Sequence, residues 1–243
     1  MNIYKGVIFF FFLVSCSKPN APDCFQKGGK EITVVRTFSN EISKLILYDY
    51  IHVEMIPSIE NYIEIIAPEN LIPEITTEVV DFGVLEIRNH NTCNFVRNFK
   101  RKIKVKIYMK IVEIDNYSSG DITSIDILEQ PYFKIECLGA SGQVRLKVDC
   151  DSLRVTIPDG VSDVFLSGSS NLTYLYSAGI NCLDASMLES NNTFVNSNSI
   201  NKILTTANGY FFVSINSIGS VYYKGNPYSI DYIQNGSGKL IKL

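Results

Sequence analysis

The sequence has little of what catalytic and metal sites are usually built from. It contains two histidines, His52 and His90, no tryptophan, and no Cys-x-x-Cys motif. Structural zinc sites need Cys and His ligands at short, regular spacing. We therefore expect no bound metal and no cofactor.

Charge is also scarce. Charged residues make up 19% of the 243 residues, and the formal net charge is −3. A mildly acidic chain has no general electrostatic attraction to phosphate backbones, so we expect no nucleic-acid partner. Apolar residues make up 46% of the chain, which argues against disorder.

Helical patterns are almost missing, and alternation takes their place. Ile103, Val105, Ile107 and Met109 alternate with polar or aromatic residues, which is the period-two pattern of a strand. The one helix candidate, residues 70–80, is interrupted by a proline, so we expect a helix there to be short or absent. The pattern predicts an all-β protein.

The amino terminus has an apolar run that is too short to span a membrane. Residues 7–14 are apolar and precede Ser15 and Cys16, whereas a spanning helix needs about 20 residues. A short apolar run of this kind is typical of a secretory signal, here residues 1–15. Leu13-Val14-Ser15-Cys16 resembles the lipobox of bacterial lipoprotein precursors, which implies lipidation of Cys16, a tether over residues 16–30 and a membrane as partner. An ordinary signal peptide containing Cys16, or a short transmembrane anchor, are the alternatives.

The remaining cysteines are Cys24, Cys93, Cys137, Cys150 and Cys182. Exported proteins can keep disulfides, and Cys24 and Cys93 lie in polar connections where a disulfide would restrain the start of the mature chain. We predict that pair, with five free thiols as the alternative.

From about residue 114 a repeat appears. In each unit a small or polar residue stands two positions before an apolar one, and successive units are 18 to 22 residues apart. These positions are Gly120, Gly142, Ser162, Asn181, Asn201, Gly219 and Gly238. Periods near 20 residues indicate a solenoid, because a single unit cannot bury its apolar face alone. We predict a parallel β-helix (β-solenoid) with turns of about 20 residues.

A second motif keeps the same period, eight to ten residues earlier in each unit. Its instances are Phe133-Lys134-Ile135, Leu153-Arg154-Val155, Leu172-Thr173-Tyr174, Phe194-Val195, Phe211-Phe212-Val213 and Tyr228-Ser229-Ile230. Apolar pairs near Ile65, Ile87 and Val105 extend a similar spacing toward the amino terminus. They favour irregular turns over a separate cap for residues 31–113, and residues 114–243 form the regular repeats.

The residues from about 38 to 243 resemble the family "putative auto-transporter adhesin, head GIN domain", whose members include many lipoproteins of Bacteroidetes. The resemblance rests on Ala67-Pro68-Glu69-Asn70-Leu71, Cys93-Asn94-Phe95-Val96-Arg97, Tyr223-Lys224-Gly225-Asn226-Pro227 and the Ser-Gly corners. It implies a right-handed parallel β-helix over residues 31–243 and no established activity. Together with the lipobox it leads us to expect an anchor in the cell envelope, at the outer membrane.

Three kinds of function fit these features. The first is a non-catalytic, adhesion-type module in which Tyr174, Tyr176, Tyr222 and Tyr223 face solvent and bind a polysaccharide or a surface protein. The alternative for these four tyrosines is that their rings stack in the interior of the β-helix or lie along its wall. The second is a structural or signalling component of the envelope. The third is a carbohydrate-active enzyme, for which Asp149 and Asp151 are the nearest pair of acids, and it ranks last because no catalytic motif supports it.

A basic stretch from Arg97 to Lys110 has two interpretations. It contacts anionic lipid near the anchor, or it is the polar side of one strand, at an edge protected by lysines. We favour the strand.

Overall fold

The computed structural model describes residues 29–92 and 103–243. Nearly all of its regular structure is β-strand. The strands are β1 Glu31–Thr37, β2 Lys44–Leu47, β3 His52–Ile56, β4 Tyr62–Pro68, β5 Ile75–Asp81, β6 Val84–Asn89, β7 Lys104–Tyr108, β8 Glu113–Asn116, β9 Ile122–Ser124, β10 Leu128–Cys137, β11 Val144–Ile157, β12 Val164–Gly179, β13 Leu183–Ser199, β14 Ile203–Thr206, β15 Tyr210–Ile215, β16 Val221–Lys224, β17 Ser229–Gln234 and β18 Leu240–Lys242.

The predicted helix at residues 70–80 is reduced to one turn. A 3-10 helix covers Ile72–Glu74, and β5 begins at the next residue. Proline at the start of this helix suits its first turn, whereas the β-branched residues that follow favour an extended strand. In the described part of the chain, no helix is long and apolar enough to cross a lipid bilayer.

The chain winds as a parallel β-helix, as the repeat predicts. Each regular turn contributes strand segments to three faces, and matching segments of successive turns pair in parallel. Face 1 is formed, in spatial order, by β1, β4, β7, β3, β9, the first residues of β11, β12 and β13, and then β14, β16 and β18.

Face 2 contains the later residues of the long strands. In spatial order it is formed by β5, β6, β2, β8, the last residues of β10 to β13, and then β15 and β17. Face 3 is short and comprises residues 128–130, 148–150, 168–170 and 188–190. The pairing is interrupted at residues 131, 151, 171 and 191, which form the corner between faces 3 and 2.

The predicted corner positions set the register of face 1. Each apolar residue two positions after a corner is the pairing partner of its counterpart on the next turn, in the order Ile122, Val144, Val164, Leu183, Ile203, Val221 and Leu240. All except Leu240 are completely buried. Burying one such side chain stabilises the fold by about 1.5–3 kcal/mol. This row of stacked side chains is therefore a main contributor to the stability of the core.

The second motif marks structurally equivalent positions in four of its six instances. Ile135, Val155, Leu175, Val195, Val213 and Tyr232 are successive partners on face 2. The equivalent triplets are therefore Thr173-Tyr174-Leu175 and Ile230-Asp231-Tyr232, one and two residues later than the sequence pattern indicated. Polar Thr173 occupies an interior position there, which hid the correct alignment.

The first strands do not stack in chain order. β3 lies between β7 and β9, and β2 lies between β6 and β8, all in parallel. β4, which carries Ile65, runs antiparallel between β1 and β7. The apolar pairs near Ile65, Ile87 and Val105 therefore do not mark three successive turns.

A candidate binding surface on the second face

A row of three aromatic side chains and one arginine runs along the outside of face 2. Arg154, Tyr174, Phe194 and Phe212 are successive pairing partners on neighbouring strands. Their neighbours Val155, Leu175, Val195 and Val213 are buried. Since consecutive residues of a strand point to opposite sides, burying these neighbours places the four larger side chains outside. We call them the aromatic file.

Two pairs of neighbours within the aromatic file contact each other. The Arg154 guanidinium carbon lies 4.7 Å from the Tyr174 ring centroid, within the range of a cation–π contact. The centroids of Phe194 and Phe212 are 6.2 Å apart, and Tyr210 adds a ring 5.6 Å from Phe194. Parallel strands lie about 4.8 Å apart, so the file forms a stripe of three aromatic rings and one guanidinium group across four successive turns.

Amide groups line one side of this stripe. The Asn198 side chain donates to the Tyr176 hydroxyl at 3.2 Å. The Asn216 amide donates to Asn196 at 2.9 Å, and Asn235 donates to Asn216 at 2.7 Å. This amide ladder holds its outer amides in fixed positions. An aromatic surface beside ordered amides and hydroxyls suits a ligand that is apolar on one side and rich in hydroxyl groups on the other.

An acidic residue, Asp231, follows Phe212 at the end of the stripe. Tyr210 donates its hydroxyl to the Asp231 carboxylate. This hydrogen bond to the carboxylate raises the pKa of Tyr210, with desolvation as a further cause. The same hydrogen bond fixes the orientation of the Tyr210 hydroxyl.

The four predicted tyrosines do not form one surface. Tyr174 and Tyr176 lie on the outside of face 2, whereas Tyr222 lies on the outside of face 1. Tyr223, a candidate for the binding surface, lies in the interior instead: it is 8% exposed, and its ring centroid is 5.2 Å from that of the buried Phe211. Tyr222 and Tyr223 are consecutive in one strand, so one of them has to point inward.

The sequence reasoning missed Arg154 and Phe194 as members of this surface. The signal was present in the second motif, because these residues stand directly before its apolar residue. The shifted alignment at Tyr174 concealed that the four positions are equivalent.

The two acids considered for catalysis lie near the corner of face 3. The Asp149 carboxylate accepts a hydrogen bond of 2.7 Å from the Ser169 hydroxyl. Asp149 and Asp151 both border a shallow cavity of about 370 Å³. Over the described ranges, no three His, Cys, Asp or Glu side chains are grouped so that they could hold a metal ion.

The basic stretch is part of the sheet where the structure describes it. Lys104 pairs with Glu54 of β3 at 2.6 Å, and Lys106 with Glu64 of β4 at 3.9 Å. β7 has a neighbour on each side, so the interpretation as a strand edge is wrong. The residues from Arg97 to Lys102 lie outside the described ranges.

A second depression lies between faces 1 and 3. Its volume is about 420 Å³, and Phe165, Leu166 and Met187 form its apolar walls. The pairing of β12 with β13 shifts by one residue here, and Met187 is 69% exposed. Arg145 and Lys147 border it, and the Arg145 guanidinium carbon lies 4.0 Å from the Phe165 ring centroid.

The predicted lipidation site and disulfide cannot be located. Cys16, Cys24 and Cys93 lie outside the described residues, so both remain predictions. Cys137, Cys150 and Cys182 are free thiols, and the first two are buried.

The family model described as "Putative auto-transporter adhesin, head GIN domain" matches residues 41–227. No curated protein matches the chain. Among solved structures, the chain is similar to one described as a putative adhesin from Bacteroides fragilis, with 24% identity and a TM-score of 0.79 over 88% of this chain and 97% of that one.

Two structures from Parabacteroides distasonis are also similar. One is described as a putative adhesin, with 17% identity, a TM-score of 0.62, and coverage of 89% of this chain and 99% of that one. The other is described as a putative lipid binding protein, with 20% identity, a TM-score of 0.64, and coverage of 88% and 97%. These three likenesses concern the fold.

Proposed function

Because the chain belongs to the head GIN domain family, we propose that it is an exported, lipid-anchored envelope protein that binds a surface polysaccharide through face 2 without catalysis. The observation that carries the proposal is the aromatic file next to the amide ladder. Aromatic rings stack against the apolar faces of sugars, while amides and hydroxyls hydrogen-bond to sugar hydroxyl groups. A row of equivalent side chains on successive turns also suits a ligand that itself repeats.

Binding is tested with the intact purified chain on an array of bacterial and host glycans. The variants Tyr174→Ala and Phe212→Ala each remove one ring from the file. We expect each to weaken the binding of a glycan hit by about tenfold, the usual loss when an aromatic contact is removed. Tyr222→Ala is the matched control, since it removes an outward tyrosine from face 1. Equal losses in all three variants, or no glycan hit, would contradict the polysaccharide proposal.

The proposed anchor is tested separately. Cells that produce the protein are labelled with an alkyne fatty acid, and we expect label on the wild type and none on Cys16→Ser. Two acyl chains are enough to hold a protein stably on a membrane, so the variant should also move from the membrane fraction to the soluble fraction. A labelled Cys16→Ser variant would contradict lipidation at this residue.

Protease treatment of intact cells tests which side of the membrane the β-helix occupies. Digestion in intact cells supports the adhesion role at the surface. Protection until the outer membrane is broken contradicts that role and favours the structural or signalling alternative.

A second candidate function is the binding of an anionic amphiphile in the depression between faces 1 and 3. Its apolar walls at Phe165 and Met187 support this candidate. Among the charged residues that border it, Arg145 and Lys147 outnumber Asp184. Vesicle flotation with and without anionic lipid, using wild type and Met187→Glu, is the test. Binding that does not depend on lipid charge or on Met187 would exclude it.

A further inference from the structure

Face 3 ends abruptly on the side toward the first turns. Residues 128–130 of β10 pair with residues 148–150 of β11 on one side. On the other side, the described structure has no strand paired with them, and no backbone hydrogen bond reaches them from a loop. A parallel strand directs part of its N–H and C=O groups to each side, so this outer edge presents unused backbone donors and acceptors.

An apolar groove lies along this edge. Its volume is about 490 Å³, and it is bordered by residues 57–59, 109–111 and 126–130. Met109, Ile111 and Leu128 are buried at its base, whereas Ile59 and Ile127 are exposed at its rim. Large apolar side chains grouped around an unpaired edge are typical of a site where another strand docks.

Gln130 provides an independent sign of a missing partner. Its side chain is 8% exposed, it lines the groove, and its amide nitrogen Nε2 has no hydrogen-bond partner. A buried donor left without an acceptor is rare in folded proteins and costs free energy. A carbonyl oxygen of a docked backbone would supply that acceptor.

The charges at the groove limit what can dock there. Asp126, Glu129 and Lys110 border it, and none of them forms an ion pair among the residues that the structure describes. With two carboxylates and one ammonium group, the rim of the groove carries a net negative charge. The complementary ligand carries positive charge near Asp126 and Glu129.

We propose that this groove binds an extended, basic segment of a partner protein by strand addition to the outer edge of residues 128–130. The backbone of the segment pairs with this edge, and one of its carbonyl oxygens accepts the hydrogen bond from Gln130. Alternate apolar side chains of the segment enter the groove, as period two requires. The site is separate from the aromatic file on face 2.

The test is a selection of short random peptides, displayed on phage, on the intact purified chain. We expect enriched peptides to alternate apolar residues and to carry Lys or Arg. The affinities of the synthetic peptides are then measured by fluorescence anisotropy. Ile59→Ser and Ile127→Ser each remove an apolar contact without adding charge and should each weaken them by about tenfold. Ile200→Ser is the matched control, because Ile200 is a similarly exposed isoleucine at a corner of a later turn.

Gln130→Leu separates binding from folding. It removes the unpartnered amide, so the thermal midpoint should not fall, while peptide affinity should fall about fivefold through the lost hydrogen bond. No enriched peptides, or peptides whose affinity is unchanged by Ile59→Ser and Ile127→Ser, would overturn the proposal. Glycan binding by these variants should stay at the wild-type level, so failure here is distinguishable from failure of the role proposed for face 2.

Discussion

The α-carbon of Gly142 lies so close to the carbonyl oxygen of Gly120 on the preceding turn that a Cβ on Gly142 would overlap it. The two glycines occupy the same corner of adjacent turns, and both are buried. Backbone has to approach backbone there because the turns are held at strand spacing. The recurrence of small residues at this corner is therefore partly steric.

Gly142→Ala should reduce the free energy of unfolding by about 3 kcal/mol, the upper end for overpacking at a site that cannot relax. Gly139→Ala is the control, because a Cβ there meets nothing within 4 Å, although its φ is +65°. It should cost about 1–2 kcal/mol from the left-handed backbone alone. Urea unfolding followed by circular dichroism compares them, and a larger loss in Gly139→Ala would contradict the steric explanation.

Tyr223→Ala should cost about 3 kcal/mol of unfolding free energy, because it leaves a cavity beside Phe211. Tyr222→Ala, one residue earlier, should cost less than about 1 kcal/mol because its side chain points outward. Thermal unfolding of the two variants gives the comparison. Equal losses would mean that the assignment of inward and outward positions in β16 is wrong.

The protein should lose stability in alkali through Cys137. Burial raises the pKa of the Cys137 thiol from 9.0 to about 12. Above pH 9 the unfolded chain releases this proton while the folded chain keeps it, so the stability contributed by the folded thiol falls as pH rises from 9 toward about 12. We expect a loss of about 1.4 kcal/mol between pH 8 and pH 10 from this group.

Cys137→Ala provides the control for the alkaline loss. The raised pKa values of several tyrosines, Tyr132 among them, contribute in both proteins, so only the difference between wild type and variant reports the thiol. Urea unfolding at pH 8 and pH 10 measures it. A difference that does not change with pH would show that Cys137 ionises in the folded protein.

Ser190→Ala should destabilise the interior of the later turns. The Ser190 hydroxyl donates to Thr173 at 2.8 Å and accepts from Thr193 at 2.9 Å, and all three side chains are buried. Removing it takes the partner from the buried Thr173 hydroxyl, at a cost of about 1–3 kcal/mol, whereas Thr193 still donates to the Thr206 carbonyl. Ser169→Ala removes an exposed hydrogen bond to Asp149 and should change stability by less than about 0.5 kcal/mol. A loss in Ser169→Ala as large as in Ser190→Ala would contradict this view.

The regular turns could be predicted because the same short corner pattern recurs along the sequence every 18 to 22 residues. The corner at Asn181 precedes Leu183 as the corner at Gly142 precedes Val144, and both apolar residues lie in one buried file. Polar residues inside the core were harder to foresee. The Thr173 hydroxyl accepts a hydrogen bond from Ser190. No local sequence pattern predicts this contact.

The candidate site was only partly predictable for the same reason. Tyr174 and Tyr176 lie on the outside, but the sequence alone left open which way their rings face. The neighbours of Tyr174 in the file, Arg154 and Phe194, depend on which residues of adjacent turns stand side by side. An error of one residue in that alignment exchanges the inside and the outside of a strand.

The order of the first turns could not be predicted from local sequence patterns. Alternation in the sequence was enough to predict the strand around Val105, because period two is a property of a single segment. It did not reveal that Val53 is flanked by Val105 and Ile122. Which strand edge pairs with which depends on contacts between distant residues, and their free energy exists only once the chain has folded. The groove beside residues 128–130 arises in the same way, from loops that meet only because the first turns stack out of chain order.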